Sequence, residues 1–270
     1  MSEPGASSIT DLCIVTAVDV EFNVGQTLVC LQPGQPKVCP NFSEKSPIKI
    51  CRGLFGGRRV TILQSGMGAD GFAQGLAKHL TNNRYDALIV SGLAGGLDPR
   101  LRVGDAVLYN LCYDARVSYF TRRERPGQAE VAATACDETL SGFLCRALSN
   151  SGLSFIQAPG ITVGRVVTEA KEKLALGARY GAAAVDMETY ETLEACARLG
   201  LPAAALRVIS DEAVRDIPDF NRIYNADGRM NGWRTFAAMA ARPSAALRLL
   251  MTFRPALQSL KATLQAAMGA

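Results

Sequence analysis

Three acids in this chain stand where they could do chemistry. Glu21 follows the first apolar run, Glu188 closes Asp186-Met187-Glu188, and Asp211 follows the apolar run 203–210. Acids at strand margins suit proton transfer and charge stabilisation, because a sheet holds them rigidly beside a crevice. Each also has an ordinary structural reading. Glu188 could interact with a helix dipole, Asp211 could cap a helix, and Glu21 could be a solvated loop charge.

Two glycine clusters lie upstream of the last two acids. Gly66-Met67-Gly68-Ala69-Asp70-Gly71 has the G-x-G-x-x-G spacing that holds a dinucleotide pyrophosphate. That use also wants an acid at the end of the next strand, which here ends in Ser91-Gly92-Leu93. A tight strand-to-helix turn is therefore the better reading, and no cofactor is expected. The second cluster, Ser91-Gly92-Leu93-Ala94-Gly95-Gly96-Leu97, ends a strand in small residues, which lets a ligand approach the backbone. By itself it is equally compatible with a glycine-rich turn.

The elements that must position these groups alternate between strand-like and helical patterns. Strands are expected over 12–18, 59–64, 86–91, 105–109, 161–167, 182–187 and 203–210, and helices over 69–80 and 188–199, the latter closed by Gly200. A helix that Thr168 could cap should lie between 161–167 and 182–187. This alternation predicts a single-domain α/β/α layered fold with a mixed, largely parallel central sheet. The chain of 270 residues is 48% hydrophobic and 20% charged, as expected of a globular enzyme. Residues 1–11 read as a disordered lead-in, 12–230 as the catalytic domain, and 32–48 as a surface loop. The eight cysteines lack any Cys-x-x-Cys, and one histidine, His79, could join a metal site. They read as reduced thiols in a cytoplasmic protein with no metal, and His79 as a surface or capping residue.

Taken together, Ser91-Gly92-Leu93-Ala94-Gly95-Gly96-Leu97, Val185-Asp186-Met187-Glu188 and Arg207-Val208-Ile209-Ser210-Asp211 resemble the nucleoside phosphorylase and nucleosidase family over roughly residues 12–225. The similarity is greatest to its methylthioadenosine/S-adenosylhomocysteine nucleosidase branch. The resemblance implies cleavage of a purine N-ribosidic bond through an oxocarbenium-like sugar. It makes Asp211 the acid that protonates purine N7 and Glu188 the group that holds the ribose hydroxyls, with Met187 against the ribose face. It makes Glu21 the acid that orients the attacking water, with Arg207 near that water. Asp186, Leu93, Ala94, Gly95 and Val167 fall at the matching substrate-binding positions. An Asp211 that must stay protonated calls for the raised pKa that burial can supply.

Departures from the family pattern bear on the nucleophile and the substrate. Leu93 and Val90 stand where relatives carry a serine and a phosphate-binding arginine, and the 18–25 segment has no arginine. A phosphate dianion desolvated without cations is costly, so water is the expected nucleophile. Around Arg165-Val166-Val167 there is no aromatic residue to stack on a base, so the purine pocket differs from that of the nucleosidases.

The C-terminal region is a separate electrostatic zone. From Arg229 onward there are six basic residues and no acid, against +4 for the whole chain. Segments 232–240 and 244–268 are apolar with basic punctuation, broken by Pro243 and Pro255. Residues 231–270 are therefore expected to form amphipathic helices that extend the domain over its core or a subunit neighbour. The second reading is a peripheral contact with the inner face of a membrane. A similar extension occurs in hopanoid-associated family members, which keeps phosphorolytic release of adenine from adenosylhopane as the alternative activity. A nucleoside-binding or sensor protein on the same fold is a third. The expected partners are a small purine nucleoside and further copies of the chain, as a homodimer or larger assembly, with no nucleic acid.

Overall fold

A computed structural model of the chain describes residues 9–30, 48–64, 70–116, 131–219, 221 and 239–269. In chain order the elements are β1 (Asp11–Thr16), α1 (Asp19–Cys30), β2 (Lys49–Phe55), β3 (Arg58–Gln64), α2 (Asp70–Asn82), β4 (Ala87–Gly96), β5 (Ala106–Asp114) and β6 (Ala133–Ala135). They continue with α3 (Glu138–Asn150), β7 (Phe155–Thr162), α4 (Ala170–Tyr180), β8 (Ala184–Asp186), α5 (Thr189–Leu199), β9 (Ala203–Asp211) and α6 (Pro243–Gly269).

The nine strands form one mixed sheet. β2, β3, β1 and β4 lie side by side, and the strands beyond β4 close on themselves. β4 pairs in parallel with β9, and β9 pairs antiparallel with β5. β5 then pairs in parallel with β7 and β7 with β8, and β8 returns antiparallel to β4 through Gly95 and Gly96. The core strands are fully buried runs such as Cys13–Val15, Leu88–Val90 and Ala204–Leu206. Apolar strands without alternation are what a sheet covered on both faces requires. α6 packs on β4, β5 and β9 and meets both α3, which also covers β5 and β9, and α1, which covers β2 and β3, while α2 packs on α5.

The structure departs from the sequence reading where tertiary contacts take over. The glycine cluster at 91–97 is not a turn after a short strand, because β4 continues through Gly96 with β9 and β8 supplying its ladder. The apolar run 161–167 is only partly strand. β7 ends at Thr162, and Val163 and Val167 are buried in a small apolar cluster with Leu97, Ile161, Leu176 and Val185. Short apolar runs do not by themselves distinguish a strand from a buried connection. Glu169, not Thr168, occupies the N-cap of α4, and its side chain makes no capping bond. α1, β2, β6 and α3 are additional elements, α3 being capped by Asp137, which accepts from the Leu140 amide at 2.7 Å. The glycines at 66 and 68 and the expected loop, apart from Ile48, lie outside the described residues.

The tail also differs from two helices broken at prolines. α6 starts at Pro243, where a proline suits the first turn, and runs through Pro255 without ending. Ala256, Leu260, Leu264, Ala267 and Met268 are buried, the last four in the main core, and this packing offsets the ladder bond that Pro255 cannot make. Residues 231–238 lie outside the described residues. Among the described residues, no helix is long and apolar enough to cross a membrane.

Candidate active site

The site is organised around Arg207, whose side chain is 1% exposed and rises from the middle of β9. Its Nε and Nη2 donate to Thr189 Oγ1 at 3.1 and 2.8 Å. The same guanidinium lies 3.5 Å from Asp186 Oδ2 and 3.6 Å from Glu188 Oε2. Burial alone would weaken its hold on the proton, but Asp186, Glu188 and Glu21 together raise its pKa. It is a fixed cation in a nest of acids.

Glu21 reaches this nest from the first turn of α1, not from a loop. Its Oε2 accepts from the amides of Ala17 at 2.9 Å and Val18 at 3.2 Å, a reach-back that satisfies amides at the helix start. Oε1 accepts from the Leu93 amide at 2.7 Å, which ties α1 to β4. Gly92 makes the approach feasible. A Cβ there would lie 2.6 Å from Glu21 Oε1 and 2.8 Å from Arg207 Nη1, so a larger residue would collide with both groups. Burial raises the Glu21 pKa, against the pull of Arg207 and the three amides.

Glu188 is 5% exposed and occupies the N-cap position of α5, yet its side chain makes no capping bond. Asp186 does that work. Its Oδ1 accepts from the amides of Glu188 at 3.1 Å and Thr189 at 2.9 Å and from Thr162 Oγ1 at 2.9 Å. Its Oδ2 accepts from Thr189 Oγ1 at 2.6 Å and Tyr109 Oη at 3.1 Å. Both oxygens of Asp186 are thus engaged by protein donors, which leaves the Glu188 carboxyl free to face Arg207. Burial pushes the Glu188 pKa up to about 8, with Arg207 opposing and Asp186 and Glu21 adding to the rise. Tyr109 fits because β7 offers Gly160, where a Cβ would lie 1.9 Å from its ring.

Asp211 stands further along the same pair of strands, paired with Gly95 across the β4–β9 ladder. Arg207 pairs with Gly92, so the two levels are about 10 Å apart along β4. Asp211 Oδ1 accepts from Ser210 Oγ at 2.7 Å, and Oδ2 accepts from the Lys173 ammonium. Lys173 comes from α4, is fully buried, and also donates to the carbonyls of Glu212 at 3.2 Å and Arg215 at 3.1 Å. Asp211 therefore has a buried cationic partner in Lys173, which the sequence reading did not include.

Of the other expected site residues, Leu93, Ala94 and Gly95 lie on β4 beside these groups. Leu93 acts through its amide and Ala94 through its carbonyl, 3.2 Å from Ser210 Oγ. Gly95 lies against Asp211, with an added Cβ falling 3.4 Å from Oδ2. Met187 is half-buried between Asp186 and Glu188. Val167 belongs to the small apolar cluster with Val185, next to Asp186 in the chain. His79 is half-buried, and its Nε2 hydrogen-bonds with the Tyr85 hydroxyl at 2.8 Å. Among the described residues, no cluster of His, Cys, Asp or Glu could hold a metal ion, and Cys13, Cys51, Cys112, Cys136, Cys145 and Cys196 are free thiols.

The site thus holds two levels of acid on adjoining strands, one beside a guanidinium and one beside an ammonium. The family model described as the phosphorylase superfamily matches residues 12–245. The chain belongs to the phosphorylase superfamily. A methylthioadenosine/S-adenosylhomocysteine nucleosidase from Glaesserella parasuis serovar 5 is 27% identical over 181 residues, which cover 66% of this superfamily member and 78% of that enzyme. The corresponding nucleosidase from Neisseria meningitidis, crystallised with methylthio-immucillin-A, superposes with a TM-score of 0.71 at 18% identity, covering 97% of this chain and 99% of the other. Futalosine hydrolase from Helicobacter pylori strain 26695 superposes at 0.67 and 14% identity, covering 97% and 98%. These likenesses establish the mixed α/β fold of this superfamily member.

The sequence reading missed Lys173, Tyr109, Thr162 and Thr189. Lys173 lies in Ala170-Lys171-Glu172-Lys173, which reads as a solvated helical face, and the hydroxyls carry no distinctive spacing.

Proposed function

We propose that this protein hydrolyses the N-glycosidic bond of a purine nucleoside, of the adenosyl type and substituted at the 5′ position. The observation that carries the reading is the separation of the acids into two levels on β4 and β9, one for the sugar and water and one for the base. At the first level, Glu188 faces the ribose hydroxyls and the positive charge that develops on the sugar, and Met187 lies against the ribose face. Glu21, held by three amides, takes the proton of the attacking water. At the second, Asp211 gives a proton to purine N7 as the C1′–N9 bond breaks. Adenine is a poor leaving group until N7 is protonated, and a carboxylate near the sugar lowers the barrier where charge develops.

Water is favoured over phosphate as the nucleophile. Arg207 is the cation at the sugar level among the described residues, and it is already engaged by Thr189, Asp186 and Glu188. A phosphate dianion there would be desolvated among three acids. With a 5′-substituted adenosine, the enzyme should release adenine equally with and without phosphate, and the sugar product should be the free reducing ribose. Chromatography of the products checks this. A ribose 1-phosphate derivative as the main product would overturn hydrolysis in favour of phosphorolysis, including that of adenosylhopane, and binding without any cleavage would favour the sensor reading.

The first half of α6 supports a peripheral contact with an anionic membrane surface. Leu247, Leu250 and Met251 are 61%, 58% and 70% exposed on one face, while Arg248 and Arg254 flank them without an acid on the helix. Apolar anchors with flanking cations suit an anionic interface, at about 1 kcal/mol per basic residue near the surface. The same helix borders a cavity of about 360 Å³ that it shares with Asp211, through Ala245, Arg248, Leu249 and Thr252. The intact protein should sediment with phosphatidylserine vesicles at low salt, bind less as salt rises, and lose binding when Leu247, Leu250 and Met251 become Ser. Failure to bind at low salt, or equal binding to uncharged vesicles, would reject this contact.

A further inference from the structure

Lys173 has no assigned part in this chemistry, yet its surroundings are those of a placed charge. It and Leu176 are the buried residues of α4, whose remaining side chains are exposed or half-buried. Taking an ammonium out of water is costly unless its donors are met. Here its three N–H groups have three acceptors: Asp211 Oδ2 and the carbonyls of Glu212 and Arg215. An apolar side chain would fill the space without a desolvation cost, so the charge is informative.

We propose that Lys173 is the positioning residue for the acid, pinning Oδ2 of Asp211 so that Oδ1 is the oxygen that carries the proton to the base. This rests on the hydrolytic reading above. Oδ1 faces Ser210, whose single hydroxyl proton has two acceptors, Asp211 Oδ1 at 2.7 Å and the Ala94 carbonyl at 3.2 Å. When Ser210 turns to Ala94, Oδ1 can hold a proton of its own. In the reaction that proton passes to N7 as the C1′–N9 bond breaks, and the bonding electron pair stays with the base. Asp211 is left as a carboxylate beside the Lys173 ammonium, and it regains a proton from solvent once the base departs. The ammonium thus stabilises the anion that proton transfer creates, an interaction stronger after the transfer than before it. It also ties the acid to the segment after β9, which keeps Oδ1 from turning away.

The test compares two leaving groups on the same 5′-substituted ribose. Adenine needs the N7 proton, whereas 4-nitrophenol leaves as a stabilised phenolate and needs none. In Lys173→Met, kcat for adenine release should fall about 100-fold, the lower end of what a general acid contributes. Nitrophenol release should stay within a few-fold of wild type, and KM for both substrates should change little. Lys173→Arg, which keeps a cation, should recover at least tenfold of the lost adenine activity. Lys173→Met combined with Asp211→Asn should be no slower than Asp211→Asn alone, since the two act through one proton. All rates are taken per folded molecule, with folding checked by circular dichroism.

Several outcomes would overturn the role. Equal losses on both leaving groups would make Lys173 a structural tether, as would fully additive effects in the double variant. Adenine release unchanged in Lys173→Met would remove it from the mechanism. A wild-type enzyme that cleaves nitrophenol but no adenosyl substrate would refute the role while leaving glycosidic cleavage standing. Cleavage of neither substrate would refute the functional reading, and the role would fall with it.

Discussion

Asp211→Asn should slow purine release by about 10²–10⁴-fold and leave nucleoside binding close to wild type. The amide fills the same volume as the carboxyl and its oxygen can still accept from Lys173, although the buried ammonium loses its counter-charge, so rates are compared per folded molecule. What the amide lacks is a proton it can surrender to N7. The loss should therefore lie in kcat, with KM and the calorimetric Kd nearly unchanged, because the missing interaction exists only as the C1′–N9 bond breaks. A structural acid would behave otherwise. If Asp211 only anchored Lys173, the variant would melt at a lower temperature and turn over normally per folded molecule. Turnover within a few-fold of wild type would therefore take Asp211 out of the proton path.

The strand-end acids and their order were legible because they depend on local pattern. The buried run 203–210 ends where an acid follows, and Gly200 stops α5 in the left-handed conformation at φ 64°, as a helix C-terminus prefers. The partners of those acids were not legible, because each is brought in from a distant element. Glu21 reads as a loop charge until α1 forms and its carboxylate turns back to Ala17 and Val18 while meeting Leu93, 72 residues away. Asp186 resembles a ligand-binding acid in the motif Asp186-Met187-Glu188, yet its oxygens are taken by Tyr109, Thr162 and Thr189. Lys173 shows the same limit most clearly. Its neighbours Lys171 and Glu172 are charged as well, and only the packing of α4 buries one of the three. The tail was misread for a related reason. Proline has a low helix propensity, but core packing of Leu260 and Leu264 outweighs it.

Glu188→Gln should lower kcat/KM by about 10²–10³-fold at pH 8.5 and by less at pH 6. The reason is the position of its pKa. Burial, opposed by Arg207 and reinforced by Asp186 and Glu21, lifts Glu188 from an ordinary 4.5 to about 8 in the free protein. The anionic form is the one that stabilises a cationic sugar, and kcat/KM reports the ionisation of the free enzyme. Wild-type kcat/KM should then climb as pH rises toward about 8, while the neutral amide gives no such climb from this group. At pH 6 the wild-type side chain is mostly protonated and already resembles glutamine, so the gap narrows. Stability should move in the opposite direction. Between pH 4.5 and about 8 the folded state binds more protons at this site than the unfolded chain does. Folding stability is therefore lost as pH rises through that window, and the loss is complete above it. Glu188→Gln cannot ionise, so the unliganded variant should melt at the same temperature as wild type near pH 4 and at a higher one near pH 9. Thermal denaturation at matched ionic strength, run beside the pH–rate profiles, checks both halves. A gap in kcat/KM that stays constant from pH 6 to 9 would deny that ionisation of Glu188 drives the chemistry. A variant that is less stable than wild type at pH 9 would show that the carboxylate serves the fold and not the sugar.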